Sequence, residues 1–475
     1  MTHSNLRSPL LLLALTAAYQ SAYAQQPPDV VNSDGFFNTA SGSHALENVT
    51  PNPDGNNNSA FGDTALQFNT TGQWNTGIGS EALQFNTQGF ANSALGYNAL
   101  NMNTYGNYNT GCGFATLQNN TVGSYNTAHG SGALYSNTTG NDNTSSGFDA
   151  LALNSSGSDN VAVGYQSLYS NTVGNYNTAQ GYNAMYANTT GGYNTAIGYL
   201  ALPASTTGSY TTAVGSFSLQ ANTTGGYNTG FGAYSLIANT TGSGNTAFGY
   251  AGLRSMKTGS NNIGFGYQSL YLNSTGSNNI AMGYQGGYYV LSGSNNIEIG
   301  SLGAFADNNL IRIGTQGTQT KTYIAGISDA QITGAAVYVT SSGQLGVLAS
   351  SERYKTSIAS LGSDTEKLME LRPVRFHLKN DPKGAVQYGL IAEEVDKVYP
   401  ELVIRDDSGK VQGVRYDELA PMLLNEMQKQ QRTIETQNAH AAAQDQEIQD
   451  LKKMVAETQA GLVQLEKKNQ LLAQR

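Results

Sequence analysis

Glycine stands at position 62 and then at every seventeenth residue through 300, without a slip. A period held for that long is the mark of a solenoid, whose repeats stack because one alone cannot bury its apolar face. A second glycine lies seven residues before each of these, from Gly55 through Gly293. Every unit therefore has two backbone punctuation points, where a turn needs positive φ or two backbones approach closely. Gly42 precedes the series by 20 residues, with Pro51 and Pro53 in the longer connection, and Gly314 follows it by 14. The repeat shaft is thus expected over residues 42–314.

Other positions of the unit are nearly as constant. Four residues before the main glycine stands Asn in 14 of the 15 units from Asn58 to Asn296, Thr211 being the exception. Recurrence at one level is what a ladder of stacked side-chain amides requires. Two residues before the glycine the side chain is small, as in Ala60, Gly77 and Ala94, until Glu298 breaks the rule. Four residues after it runs an apolar stripe of Leu66, Leu83, Leu100 and Leu117, with Met185 substituting once and Gly287 interrupting. Two turns in 17 residues leave room for two short strands per coil, giving a thin roll of coils ~4.8 Å apart. The Leu stripe of so thin a roll calls for a neighbour, which predicts an oligomer, with three chains the natural closure about an axis. A monomeric β-solenoid is the alternative. The pattern, for example NTAIGYLAL at 194–202, resembles the head repeats of trimeric autotransporter adhesins, which implies a left-handed β-roll wound as a trimer. Those adhesins end in a membrane barrel and this chain in a polar helix, so the resemblance concerns the shaft alone.

Charge divides the chain near residue 350. Residues 25–349 hold 12 acidic and 4 basic side chains, whereas residues 350–475 hold 20 and 18. So few cations in the shaft leave no surface to neutralise phosphates, which argues against nucleic acid as a partner. At the N-terminus, Arg7 precedes an apolar run at 10–18 broken only by Thr16, then Ala22, Tyr23 and Ala24. These are the parts of a secretory signal peptide cut after Ala24, and the run is too short to span a bilayer. The mature chain is expected to carry no transmembrane anchor and to be secreted or displayed at the cell surface. Cys112 is the only cysteine, so no intrachain disulfide can form. Its position in the repeat is elsewhere filled by Ile78, Leu95 and Val163, which predicts a small packed side chain.

Past the shaft, residues 320–327 and 335–340 favour strands around a Ser-Ser-Gly turn at 341–343, a β neck. Then come SSERYK at 350–355, LRPVRFHL at 371–378, YGLIAEEVDKVYPELV at 388–403 and VRYDELAPML at 414–423. In this order the blocks resemble the endosialidase-type intramolecular chaperone, a self-cleaving serine peptidase family found at the ends of phage tail spikes and fibres. The resemblance implies a module that trimerises the fibre, promotes its folding and releases itself by cutting the chain at its own start. The family's Ser and Lys, five apart, fall on Ser350 and Lys355, placing cleavage between Ala349 and Ser350. The family's Asp after the nucleophile is replaced by Ser351, so Ser351 stays open as an alternative nucleophile.

The chemistry is sound in principle. A serine hydroxyl needs a base, and lysine serves as one only where burial or nearby cations lower its pKa, a task for Arg353 and a trimer interface. The plain alternative is that SSERYK merely starts a domain. The histidines at 3, 44, 129, 377 and 440 are too scattered for a triad or metal set, and no cofactor is implied. Glu393 and Glu394 read as solvated helix charges. After Leu419 a 3,4 spacing runs from Met427 through Ile434, Ile448, Leu451, Val455, Leu462 and Leu465 to Leu472, the seam of a coiled coil.

The expected architecture is therefore mainly β: signal peptide 1–24, N-terminal segment 25–41, trimeric β-roll or solenoid shaft 42–314, β neck 315–349, small α+β self-cleaving chaperone 350–425, and coiled coil 426–475. The expected function is an exported homotrimeric fibre or adhesin that assembles through the chaperone and meets a surface glycan or a host receptor. An uncleaved adhesin with a permanent trimerisation cap is the alternative, and a glycan-degrading spike would need paired carboxylates that the shaft lacks. Tyr97, Tyr165, Tyr182, Tyr199, Tyr250 and Tyr267, each one residue after a main glycine, could stack on sugar rings or simply on one another.

Overall fold

The structure, a computed structural model, describes residues 32–35, 37–49, 57–325, 336–340, 342–379, 381–406 and 408–473. The expected signal peptide and the Pro51–Pro53 connection lie outside the described residues. The chain forms two compact units, one ending at Thr322 and the other beginning at Tyr323.

The first unit is a parallel β-solenoid. From β2 (Thr39–Ser41) to β18 (Ile311–Ile313), each three-residue strand pairs with the next in the chain, and β1 (Asn32–Ser33) adds an antiparallel edge to make an 18-stranded sheet. Register follows the repeat, as Thr178↔Thr195, Ala179↔Ala196 and Gln180↔Ile197 illustrate. Each coil has one short strand, not the two expected. Left-handed residues such as Gln166 (φ 45°), Leu168 (φ 53°) and Tyr176 (φ 58°) bend the remaining backbone away from strand geometry. The intercoil ladder continues regardless, with Leu168 N donating to Ala184 O at 2.9 Å and Thr172 N to Thr189 O at 2.9 Å. Backbone satisfaction between coils thus does not depend on strand conformation.

The Leu stripe lies inside the coil. Leu66, Leu83, Leu100 and their successors are fully buried within the single chain, packed on the small middle residue of each strand. The expectation that this stripe needs a neighbouring chain is therefore corrected: coil stacking alone removes it from water. Smallness at the strand's middle has a measurable cause, since a Cβ on Gly77 would lie 3.5 Å from Leu66 Cγ and 3.1 Å from Ala82 O. Cys112 is corrected as well. Its strand position faces outward, in line with the exposed Ile78 and Leu95, and its side chain is half-buried.

The two glycines of the unit answer to different causes. Gly164 has φ +127° and would place a Cβ 2.5 Å from Gly181 O, whereas Gly157, not in the left-handed region, would place one 2.4 Å from both Asn154 Oδ1 and Gly174 O. Between them run two ladders of buried amides, of which the sequence reading found one. Asn143 Oδ1 accepts from Asn160 N and Nδ2, both 3.1 Å, and Asn143 Nδ2 donates to Gly157 O at 2.9 Å. The second ladder includes Asn154, whose Nδ2 donates to Asn137 Oδ1 at 2.7 Å and to the same Gly157 carbonyl at 2.9 Å. Where Ser205 and Met256 interrupt it, the preceding Asn188 Oδ1 and Asn239 Oδ1 are left buried without a hydrogen bond.

The irregularities at Gly287 and Glu298 prove to be one feature. Glycine in the Leu position opens space in the last coils, and the buried Glu298 side chain occupies the core there, with Gly287 and Gly303 against it. Neither Glu298 oxygen makes a hydrogen bond, and Arg312 Nε, from the next strand, is 3.9 Å away. Burial pushes the Glu298 carboxyl up to about 7. Arg312 instead forks onto Asp307 at 2.7 and 2.8 Å, which holds that carboxyl below its usual range against the upward push of burial. The result is a polar plug at the end of the core.

The second unit is small. The neck appears as a hairpin of β19 (Tyr338–Val339) and β20 (Leu345–Gly346); residues 320–325 form no strand, and 326–335 lie outside the described residues. Two further antiparallel pairs follow, β21 (Val374–Phe376) with β22 (Gln387–Gly389) and β23 (Val403–Arg405) with β24 (Val411–Val414). Helix α1 (Ala392–Val398) lies between the pairs in the chain, and α2 (Tyr416–Leu472) ends it. Among the described residues the buried core consists of Val395, Tyr399, Leu402, Val403, Val414 and Met422, with Leu368, Leu371, Leu390 and Leu419 partly buried against it.

Candidate functional site

Ser351 precedes a single 3-10 turn, Glu352–Tyr354, and Lys355 closes it, with Lys355 N donating to Glu352 O at 2.9 Å. Ser350, Ser351 and Lys355 are all exposed, and no hydrogen bond joins either hydroxyl to the Lys355 amine. Ala349, on the other side of the expected cut, is exposed in backbone of no regular structure. The Arg353 guanidinium, expected to act on Lys355, stacks 4.9 Å from the centre of the Tyr354 ring. The single chain therefore places nucleophile and base candidates on one short turn open to solvent, without drawing them together.

The rest of the module is held by pairs that the sequence reading took for solvated charge or did not single out. Glu394 receives Arg372 through two bonds, at 2.5 and 3.2 Å, tying α1 to the segment before β21, and the guanidinium lowers the Glu394 carboxyl below its usual range. Tyr416 Oη accepts Leu390 N at 2.7 Å, which fixes the start of α2 beside the end of β22. The buried Thr365 hydroxyl is engaged by Asn425 at 2.6 Å, by Lys429 at 3.3 Å and by Glu426. These polar contacts lash the segment after the candidate site to α2, a role that only the folded arrangement reveals.

Two apolar surfaces have no partner in the single chain. Of the 57 residues of α2 only Met422 is buried, and the heptad residues Ile448, Leu451, Val455, Leu462 and Leu465 stand about half exposed. On the shaft, the outward strand residues are apolar at both ends, through Phe61, Ile78 and Leu95 at one and Phe231, Phe248, Phe265 and Met282 at the other, with His129, Ser146 and Gln180 between. Aromatic residues elsewhere on the shaft stack on one another: Tyr165, Tyr182 and Tyr199 lie 5.2–5.3 Å apart and within 15° of parallel. Their faces are thus largely taken by their neighbours, which favours the packing account over sugar stacking along the ladder.

Residues 350–404 match the family described as the chaperone of endosialidase. The match begins at Ser350 and includes β21, β22 and α1. No curated protein and no solved structure matches the chain. Among the described residues no helix is long and apolar enough to cross a membrane, and no cluster of metal-binding side chains occurs. A β-solenoid shaft joined to this domain fits a tail-fibre or adhesin-like protein.

Proposed function

We propose that this chain is an exported, homotrimeric fibre or adhesin whose C-terminal domain drives trimer folding and then releases itself by cutting between Ala349 and Ser350. The observation that carries the reading is the family match beginning at Ser350, with Lys355 five residues on. The exposed seam of α2 supports association, because a long helix gains its stability from packing of its apolar face rather than from propensity. The outward apolar strand residues support it in place of the Leu stripe. In the assembled trimer, neighbouring copies bury the 350–355 turn, desolvate Lys355 and let it take the serine proton, so cutting waits for correct assembly. The hydroxyl oxygen then attacks the Ala349 carbonyl carbon, the proton passes to the Ser350 amine as the peptide bond breaks, and water hydrolyses the resulting ester to free the Ala349 carboxylate and restore the Ser350 hydroxyl. Should Ser351 be the attacking residue, the cut moves one bond on.

Intact mass of the purified protein tests this beside Ser350→Ala, Ser351→Ala and Lys355→Ala. The expected result is a fragment starting at Ser350 that disappears in the first and third variants. A fragment that survives Ser350→Ala and starts at Ser351 reassigns the nucleophile. Uncut chain throughout overturns the peptidase reading and leaves a permanent cap, the reading favoured by Ser351 standing where the family has Asp.

A further inference from the structure

The aromatic column beside the main glycines has one repeated irregularity. In two successive coils the ring moves one place along the chain, so Ser216 and Ala233 occupy the usual position while Phe217 and Tyr234 take over. Stacking fails at both joints: Tyr199 meets Phe217 at 74°, and Tyr234 meets Tyr250 at 71° with centroids 5.7 Å apart. Beyond Tyr250 the parallel stack resumes with Tyr267 at 5.5 Å. At the second joint the surface opens into a shallow notch of about 260 Å³, lined by Tyr234, Tyr250, Ala251, Arg254, Gln268 and Tyr271. None of these residues lies in a strand, so the notch is on the turn wall and not among the outward strand residues.

Charge singles out the same place. Residues 160–297 contain no Asp or Glu, and their only cations are Arg254 and Lys257, on one coil and both exposed. The Arg254 guanidinium lies over the Tyr271 ring at 5.4 Å and donates to Tyr271 Oη at 2.9 Å; no carboxylate pairs with it. Among the described residues the guanidinium makes no other hydrogen bond. Gln268 Oε1 accepts from Gln285 at 2.9 Å, which turns the amide donors of Gln268 loose for a ligand. At ~4.8 Å per coil and a Debye length of ~8 Å, the nearest exposed shaft carboxylates are screened from Arg254.

We propose that this notch binds a carboxylate-bearing sugar unit within an acidic glycan; this rests on the reading of the shaft as a display surface. The planar guanidinium, already held on Tyr271, presents its fork to the sugar carboxylate. Tyr234 and Tyr250, each stacked in parallel on one neighbour only, Phe217 and Tyr267, and edge-on to each other, offer apolar ring surface to the carbon face of the pyranose, and Gln268 donates to its hydroxyls. A notch smaller than the ~300–1,000 Å³ of enclosed small-molecule sites suits one unit of a passing polymer rather than a trapped ligand. Lys257 adds attraction for the next charge along the chain, and identical shafts in an oligomer multiply a weak single contact.

The test uses the full-length protein and a panel of labelled oligosaccharides: oligogalacturonate, oligoguluronate and oligoglucuronate, the methyl ester of the first, a neutral dextran fragment and dextran sulfate. At least one uronate is expected to bind, with its ester or the neutral fragment about tenfold weaker or worse. Arg254→Gln and Tyr250→Ala are each expected to lower uronate affinity about tenfold, while Tyr105→Ala, on a distant coil, leaves it unchanged. Failure of every uronate to bind, equal binding of ester and acid, equal binding of dextran sulfate, or undiminished binding by Arg254→Gln overturns the proposal. Intact mass and oligomer size measured on the same samples separate a failure to bind from a failure of assembly or cleavage.

Discussion

The shaft and the C-terminal unit solve the problem of burial in opposite ways. In the shaft every coil receives its neighbour's backbone and amide groups, and the Leu stripe is fully enclosed by a chain that touches nothing but itself. In the C-terminal unit six side chains make the buried core, and a 57-residue helix contributes one of them. Repetition lets local contacts accumulate without limit, whereas a small irregular module has too little volume to enclose a large core and leaves the apolar seam of its long helix exposed. The division also separates tasks. In the proposed function the shaft, which persists, is self-sufficient within one chain, and the C-terminal unit, which folds the fibre and leaves it, is completed by other copies.

The sharpest way to break this comparison is to make one change in both regions. Gly164→Ala forces a Cβ to 2.5 Å from Gly181 O at φ +127° and is expected to cost more than about 3 kcal/mol, seen as loss of the shaft's cooperative melt. Gly461→Ala, mid-helix with nothing within 4 Å, is expected to stabilise α2 by about 1 kcal/mol, seen as higher helicity. A shaft that tolerates the first change would mean that its coils are not in the close contact described.

A smaller effect concerns pH. The Glu298 carboxyl, at about 7 in the folded shaft against 4.5 ordinarily, holds a proton that the unfolded chain releases. The contribution of Glu298 to stability is therefore full below about 4.5, falls as pH rises toward 7 and levels off above it, while the lowered carboxyl of Asp307, held by Arg312, contributes in the opposite sense and only at more acid pH. Shaft melting temperature is expected to be higher at pH 5 than at pH 8, and Glu298→Gln to remove most of the difference. An unchanged slope in that variant would assign the pH response elsewhere. The smallest effect is a repair: Met256→Asn gives Asn239 Oδ1 the donor it lacks and is expected to add about 1 kcal/mol in chemical denaturation.

How much of this was legible in the sequence depended on what kind of signal each residue carried. The 17-residue period, the Asn ladder through Asn143 and the close packing beside Ala60 could be read directly, because each is a restriction on residue type at a fixed place. The direction in which the Leu stripe faces could not, since a period fixes spacing but not inside from outside. The ladder through Asn154, three residues before the second glycine, is less regular, with Ser205, Met256 and Val290 in place of Asn, and so stands out less among the many Asn of the repeat. Gly287 and Glu298 looked like separate lapses until the fold brought them into one space. Ser350 and Lys355 were legible through family resemblance alone, for an exposed turn carries no pattern of its own.

The pairing of each coil with the next in the same chain has a consequence for how long the shaft can grow. An open coil is a template on which any similar coil can settle, the hazard of every unpaired sheet edge. Here the antiparallel β1 covers one edge, and Glu298, Asp307 and Arg312 fill the core at the other. The length of each shaft is set within one chain, because every coil from β2 to β18 pairs with the next coil of the same chain. Particle length then becomes a heritable quantity, counted in repeats by the gene and indifferent to protein concentration, and duplication of a single unit would lengthen the shaft by one step of ~4.8 Å.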